Sequence, residues 1–284
     1  MKVIVLPDVG FCFGVKRSLD FCQQIKDSPK PRFLLGMLVH NDLVNQSLLK
    51  YGFQMISDQS DLLYQIKHHP DGIFLSTAHG ISASRVKLLQ NHSVKLIDTT
   101  CPVVKENNDK IIRYYQNGYD VIYLGKKHHA EGEAIKEYIH LVEDKNDVEK
   151  LSIQNQNIVI VNQTTMAEAD FEKLLPLIHQ KYPHALTDLK ICPFTLARQQ
   201  QVIKEVALHH SKNDKWLIIG DTKSNNTRKL LELVQSQTKN CYLINSVLEV
   251  MPLKLDDSDT VYLCSGTSTP NLLIEEIRKY LSNK

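Results

Sequence analysis

The sequence predicts an α/β protein made of three similar modules with mostly parallel sheets, and three observations carry that expectation. Short apolar, β-branched runs alternate with stretches of helical periodicity along the chain. No Pro-, Gly- or Ser-rich linker and no low-complexity segment divides them. Cys12, Cys101 and Cys192 lie 89 and 91 residues apart, and each opens a helical pattern. Near-equal spacing points to three modules that each contribute one thiolate to a shared centre. The expected modules are residues 13–99, 100–190 and 191–284, with residues 1–11 adding a strand to the last.

Taken in order, residues 2–6 form a short apolar run that reads as a buried strand. Val15, Leu19, Cys22 and Ile25 then recur at helical spacing, so Cys12 sits on a strand-to-helix turn between Gly10 and Gly14. Glycines let that turn be tight, and the helix dipole favours a thiolate at its N-terminus. Further extended runs are expected at 33–35, 72–76, 94–98, 120–124, 157–161, 216–220, 241–244 and 260–264. Helices are expected near 14–26, 42–50, 82–90, 102–117, 166–181, 195–211, 225–237 and 270–281. Cys101 follows the run 94–98, whereas the strand before Cys192 is less clear.

Such folds place ligands at the carboxyl ends of their strands. The residues that close the runs include His40, Asn41, His79, His129, Glu131, Thr164 and Thr165. Ser224, Asn225 and Asn226 close another run, and Ser268 follows the last. Hydroxyl, amide and imidazole groups there suit phosphate oxygens, and a carboxyl among them can deliver protons.

The whole-chain numbers narrow the classes. With 34 basic and 32 acidic residues, the net charge of +2 gives no bulk attraction to nucleic acid or membrane. No apolar run has the length of a membrane span, and the chain enters a strand directly, so a cytoplasmic location is expected. The six cysteines then read as reduced thiols. There is no CxxC for a zinc ribbon or a thioredoxin, and no HExxH for a zinc or mononuclear iron hydrolase using His40, His79 and His129. Three thiolates without a fourth fit an iron–sulfur cluster with one open iron better than structural zinc, although a three-iron form uses the same ligands. Cys22, Cys241 and Cys264 read as buried space-fillers. The residues alone thus point to a redox enzyme acting on a phosphorylated small molecule.

Gly10-Phe11-Cys12-Phe13-Gly14-Val15, Val39-His40-Asn41, Ala78-His79-Gly80, Asp98-Thr99-Thr100-Cys101-Pro102, His129-Ala130-Glu131 and Asn162-Gln163-Thr164-Thr165 occur in that order. With Cys192, Arg198-Gln199 and Ser265-Gly266-Thr267-Ser268, they resemble the LytB/IspH family over essentially the whole chain. The resemblance implies three α/β modules in pseudo-threefold arrangement around a central 4Fe-4S cluster held by Cys12, Cys101 and Cys192. It implies a diphosphate held by His40, His79, Ser224, Asn225, Asn226 and Ser268. His129 and Thr164 would lie near the allylic end, with Glu131 as proton donor. The implied reaction is reductive removal of the hydroxyl of 4-hydroxy-3-methylbut-2-enyl diphosphate, giving isopentenyl and dimethylallyl diphosphates, with ferredoxin or flavodoxin as electron donor. The chain departs from the family pattern at Ala130, usually proline, at Pro193 and Ala197 after the third cysteine, and at Asn225, usually serine. These departures leave a cluster-bearing sensor or binding paralogue without turnover as the alternative.

Overall fold

The computed structural model describes residues 1–284 and contains three four-stranded sheets, all of whose strand pairs are parallel. One sheet joins β1 (Lys2–Val5), β10 (Asp214–Ile219), β11 (Cys241–Ile244) and β12 (Thr260–Ser265) in the order β1-β12-β10-β11. A second joins β2 (Arg32–Leu34), β3 (Phe53–Met55), β4 (Ile73–Leu75) and β5 (Lys95–Ile97) in the order β5-β4-β2-β3. The third joins β6 (Asp120–Leu124), β7 (His140–Val142), β8 (Ile158–Asn162) and β9 (Leu186–Thr187) in the order β9-β8-β6-β7. In chain order the second and third sheets have one winding, repeated. The first has the same winding with β1 in the edge place that β5 and β9 occupy.

Contacts group the chain into two compact units. Met1–Val15, His40–Val44 and Pro193–Lys284 form one, which contains the first sheet. Its strands are apolar on both faces, as parallel strands covered by crossover helices must be. Trp216, Ile218, Tyr262 and Cys264 face one core, and Leu217, Ile219, Val261 and Leu263 face the other. Trp216 stacks on Tyr262 at 4.7 Å, and its indole N–H donates to the His209 carbonyl at 2.9 Å. Lys16–Val39 and Asn45–Cys192 form the other unit, with the second and third sheets. Ile122, Leu124 and Ile160 pack on one side of the third sheet, and Val121, Tyr123, Val159 and Val161 on the other. In the second sheet the fully buried Phe33 and Phe74 stack at 4.8 Å inside one apolar cluster.

The helices that matter for the site are α1 (Phe13–Ile25), α2 (Asp42–Lys50), α5 (Pro102–Gln116), α6 (Ala130–Ile135), α9 (Pro193–Leu208) and α10 (Asn225–Gln235). The others are α3 (Gln59–His68), α4 (Ala83–Asn91), α7 (Lys145–Lys150), α8 (Glu168–Lys181), α11 (Val247–Val250) and α12 (Asn271–Ser282). Proline at the first position of α5 is preorganised for a helix start, where its missing N–H costs nothing.

Every expected strand and helix is present: β6, β11 and α2 to the residue, and the others with shifted ends. The sequence reading missed β3, β7 and β9, and also α3, α6, α7 and α11. β3 and β7 are three-residue edge strands, too short for a period to register. β9 is two exposed residues, which explains the unclear strand before Cys192. α3 and α7 did carry a signal: Asp58 and Asp144 each accept the N–H of an aspartate three residues on.

Candidate active site

Each of the three widely spaced cysteines follows an edge strand and precedes a long helix: β1 and α1, β5 and α5, β9 and α9. In each, the backbone N–H is tied to a carbonyl just past the neighbouring strand of the same sheet. Cys12 donates to Thr267 beyond β12 at 3.0 Å, Cys101 to Ala78 beyond β4 at 3.0 Å, and Cys192 to Thr164 beyond β8 at 2.8 Å. The three thiols thus share one local construction, and all three are half-buried. The other three cysteines are buried, and burial pushes the Cys22 and Cys241 thiols up to about 12 and Cys264 higher still. A neutral, inaccessible thiol cannot ligate metal; a half-buried thiol at a helix start can.

The turns are held by neighbouring groups. Gly10 has a φ of 81°, and a Cβ there would overlap the Asn271 side chain, whose Oδ1 accepts the Phe11 N–H at 3.3 Å. Before Cys101, Asp98 Oδ1 accepts the Thr100 N–H and hydroxyl and the Ser76 hydroxyl. These bonds outweigh burial and hold the Asp98 carboxyl below its ordinary value.

His79, His129, Glu131 and Thr164 come together in the Lys16–Val39 and Asn45–Cys192 unit. β6 delivers the chain to a turn in which His128 takes a positive φ of 60°, and His129 then caps α6 by accepting the Glu131 N–H on Nδ1 at 3.3 Å. That bond puts the proton of a neutral His129 ring on Nε2. The His79 ring meets His129 edge-on at 5.6 Å. Glu131 is 2% exposed. Its Oε2 accepts both the N–H and the hydroxyl of Thr164 at 2.9 Å, while Oε1 is buried with no hydrogen bond. Burial raises the carboxyl from 4.5 to about 7, against the pull of the Thr164 and Thr165 donors. The buried Tyr123 ring lies against Gly125 and Gly132, and its hydroxyl has no partner. A cavity of about 640 Å³ in the same unit is lined by Gly80, Lys87, Lys105, Ala134 and Tyr138 and by none of the expected site residues.

His40, Ser224, Asn225, Asn226 and Ser268 fall in the other unit. Ser224 caps α10 by accepting the Thr227 N–H, so Asn225 and Asn226 form the first turn of that helix. Asn226 Oδ1 accepts the Thr195 hydroxyl at 2.9 Å, which leaves its amide hydrogens to donate. The Ser268 hydroxyl donates to the His40 carbonyl at 3.2 Å. Burial, then Arg228, hold His40 below its ordinary value, with Asp221 pulling the other way. Asp221 itself accepts the Asp42 and Lys223 N–H groups at 2.8 Å, and Lys223 Nζ pairs with Asp42 at 2.6 Å. Sequence reasoning gave Asp42 no part in this cluster, although it stands directly after the Val-His-Asn motif. A cavity of about 420 Å³ in this unit is lined by Cys12, Phe11, Phe13, Phe194 and Arg198, with the Phe13 and Phe194 rings stacked at 6.4 Å.

Three windings of one parallel-sheet plan, each followed by a half-buried cysteine at a helix start, define a modular α/β protein. The chain belongs to the LytB family: the LytB protein model matches residues 3–282. It is 33% identical to the 4-hydroxy-3-methylbut-2-enyl diphosphate reductase of Bacillus subtilis (strain 168), covering 99% of this chain and 90% of that one. The same coverage and 33% identity hold for the reductase of that name from Halalkalibacterium halodurans. Among solved structures, the E-1-hydroxy-2-methyl-but-2-enyl-4-diphosphate reductase of Plasmodium falciparum superposes with a TM-score of 0.85 at 27% identity, over 99% of this chain and 88% of that one. A structure titled as (E)-4-hydroxy-3-methyl-but-2-enyl diphosphate reductase, the terminal enzyme of the non-mevalonate pathway, gives 0.69 at 25% identity, covering all of both chains.

Proposed function

We propose that this chain is a 4-hydroxy-3-methylbut-2-enyl diphosphate reductase, which removes the allylic hydroxyl as water with two electrons and two protons. The products are isopentenyl and dimethylallyl diphosphates. The observation that carries the reading is Glu131, a buried acid held near neutrality in a LytB-family chain. Proton donors are most effective when their pKa lies close to the working pH.

Cys12, Cys101 and Cys192 fit the ligand set of an iron–sulfur cluster, because they are the accessible thiols and share one placement. A 4Fe-4S cluster bound by these three thiols would supply the electrons and a Lewis-acidic iron. The protein's own groups do the rest. With Oε2 accepting two Thr164 donors, Oε1 is the oxygen better placed to carry the acid proton and deliver it to the departing hydroxyl. His129 Nε2–H and the Thr164 region orient the allylic end. The start of α10, with Ser224, Asn225 and Asn226, suits a diphosphate, since backbone N–H groups and the helix dipole favour anions there. His40, His79 and Ser268 complete the diphosphate set. A bound anion raises the depressed pKa of His40, so binding takes up a proton there.

The modules run 13–99, 100–190 and 191–284 with residues 1–11, a division supported by the repeated strand order. Ferredoxin or flavodoxin supplies the electrons, and the reaction belongs in the cytoplasm. No helix is long and apolar enough to cross a membrane.

Anaerobic purification with iron and sulfide counts, then Mössbauer spectra during titration with the hydroxylated allylic diphosphate, tests the assignment. Four irons, one of which responds to the diphosphate, together with both hydrocarbon diphosphates on reduction, is the expected result. Bound zinc, or a cluster indifferent to the diphosphate, overturns it.

A further inference from the structure

The three helices that follow the cysteines each carry a buried polar residue six positions after the thiol: Ser18, Asn107 and Arg198. Each makes a contact toward a turn that belongs to another cysteine. The Ser18 hydroxyl donates to the Thr99 carbonyl at 2.9 Å, two residues before Cys101, beside Arg17, which donates to Thr100 at 3.0 Å. Asn107 Nδ2 donates to the Asn162 carbonyl at 3.0 Å. Asn162 in turn exchanges bonds with Lys190, accepting its N–H at 2.7 Å and donating to its carbonyl at 3.1 Å, two residues before Cys192. Arg198 donates to the Gly10 carbonyl at 2.6 Å, two residues before Cys12, and to Ser265 at 3.1 Å.

We propose that Ser18, Asn107 and Arg198 are positioning residues that act in cyclic order: the helix starting at Cys12 sets Cys101, that starting at Cys101 sets Cys192, and that starting at Cys192 sets Cys12. The offset is common to all three, and the residue two before a cysteine is reached directly by Ser18 and Arg198 and by way of Asn162 from Asn107. A buried hydroxyl, amide or guanidinium is costly unless hydrogen-bonded, and each of the three donates, although Asn107 Oδ1 has no partner. The carbonyls they hold fix the backbone two residues before the thiols in two modules directly, and through Asn162 in the third. With each cysteine N–H tied to a carbonyl of the neighbouring strand, the thiol is held on both sides. Ligand geometry of this kind depends on such outer partners. The consequence is that each ligand depends on the helix carrying the previous one.

The proposal rests on Cys12, Cys101 and Cys192 being the metal ligands, and the experiment separates the two. The iron-loaded full chain is challenged anaerobically with a chelator and iodoacetamide, and alkylation at each cysteine is followed by mass spectrometry. In the unsubstituted protein the three thiols should be protected until iron leaves; early alkylation of any one refutes the ligand assignment itself. In Ser18→Ala, alkylation should accelerate about tenfold at Cys101 ahead of the other two, and in Arg198→Met at Cys12. Asn107→Leu should act at Cys192. Ser18→Thr, which keeps the hydroxyl, should restore protection at Cys101. Equal acceleration at all three thiols, or acceleration at the cysteine on the substituted helix, overturns the cyclic assignment. So does a failure of Ser18→Thr to differ from Ser18→Ala.

Discussion

Replacing Glu131 by glutamine removes one titration from the folded protein and leaves its shape. In the native chain the carboxyl titrates at about 7 rather than 4.5, mainly because it is buried. Below 4.5 the carboxyl is protonated in both folded and unfolded chains, and its contribution to stability is fully present. Between 4.5 and 7 the unfolded chain has released the proton while the native chain keeps it, so stability falls as pH rises. Above 7 the loss is complete and amounts to ~3 kcal/mol. Glutamine mimics the neutral acid: its carbonyl oxygen can accept both Thr164 donors, and it never ionises. The stability difference between Glu131→Gln and the unsubstituted chain should therefore be small near pH 4. It should favour the variant by ~3 kcal/mol at about pH 8. Urea unfolding of both cluster-free chains across that range measures it, and subtracting the curves cancels every titration they share. A difference that does not change with pH would mean that Glu131 keeps an ordinary pKa, and the account of the acid would fall. The same variant should lose turnover throughout, since the amide has no acid proton to give.

Other outcomes follow from the same geometry. Thr164→Val keeps the backbone donor and loses the hydroxyl, so Glu131 should rise by about one pH unit. On the proposed acid role, turnover falls as pH climbs through the Glu131 pKa, so the alkaline limb of the pH–rate profile should move upward. Gly125→Ala places a Cβ 2.5 Å from the fully buried Tyr123 ring and should cost ~1–3 kcal/mol in urea unfolding, with no loss if the ring can shift. Cys12→Ser, Cys101→Ser and Cys192→Ser should each strip most bound iron by elemental analysis. Cys22→Ala and Cys264→Ala should leave iron content intact, because those thiols are buried and protonated.

How legible the molecule was in its sequence depended on length and on locality. The strand runs at 120–124 and 241–244 were read to the residue, because apolar β-branched strands leave a dense local signal. β9 could not be read, since Leu186 and Thr187 are exposed and owe their strand geometry to pairing with Val159 and Ile160. Glu131 was legible as a candidate acid from its motif. Its elevated pKa was not, because that follows from burial and from Thr164 lying beside it in space. Asp42, Asp221 and Lys223 form an interlocked group whose members are distant in the chain, and only the fold brings them together. The buried polar residues six places after each cysteine were visible in principle. Serine, asparagine and arginine share no chemical type, however, so a search by residue identity passes over them.

The place of β1 has a bearing on how the chain acquires its structure during synthesis. The sheets holding β5 and β9 are completed by strands made in one continuous stretch, so each can form as soon as that stretch has left the ribosome. β1 is made first, but its register partner runs from Thr260 to Leu263, and α12 covers the same sheet afterwards. Until then its apolar edge has no partner, and the Cys12 turn lacks the Thr267 carbonyl that ties it down. Closing so long a loop is slow compared with local pairing. The Cys101 and Cys192 turns can thus take shape during synthesis, whereas the Cys12 turn waits for β12 and Thr267.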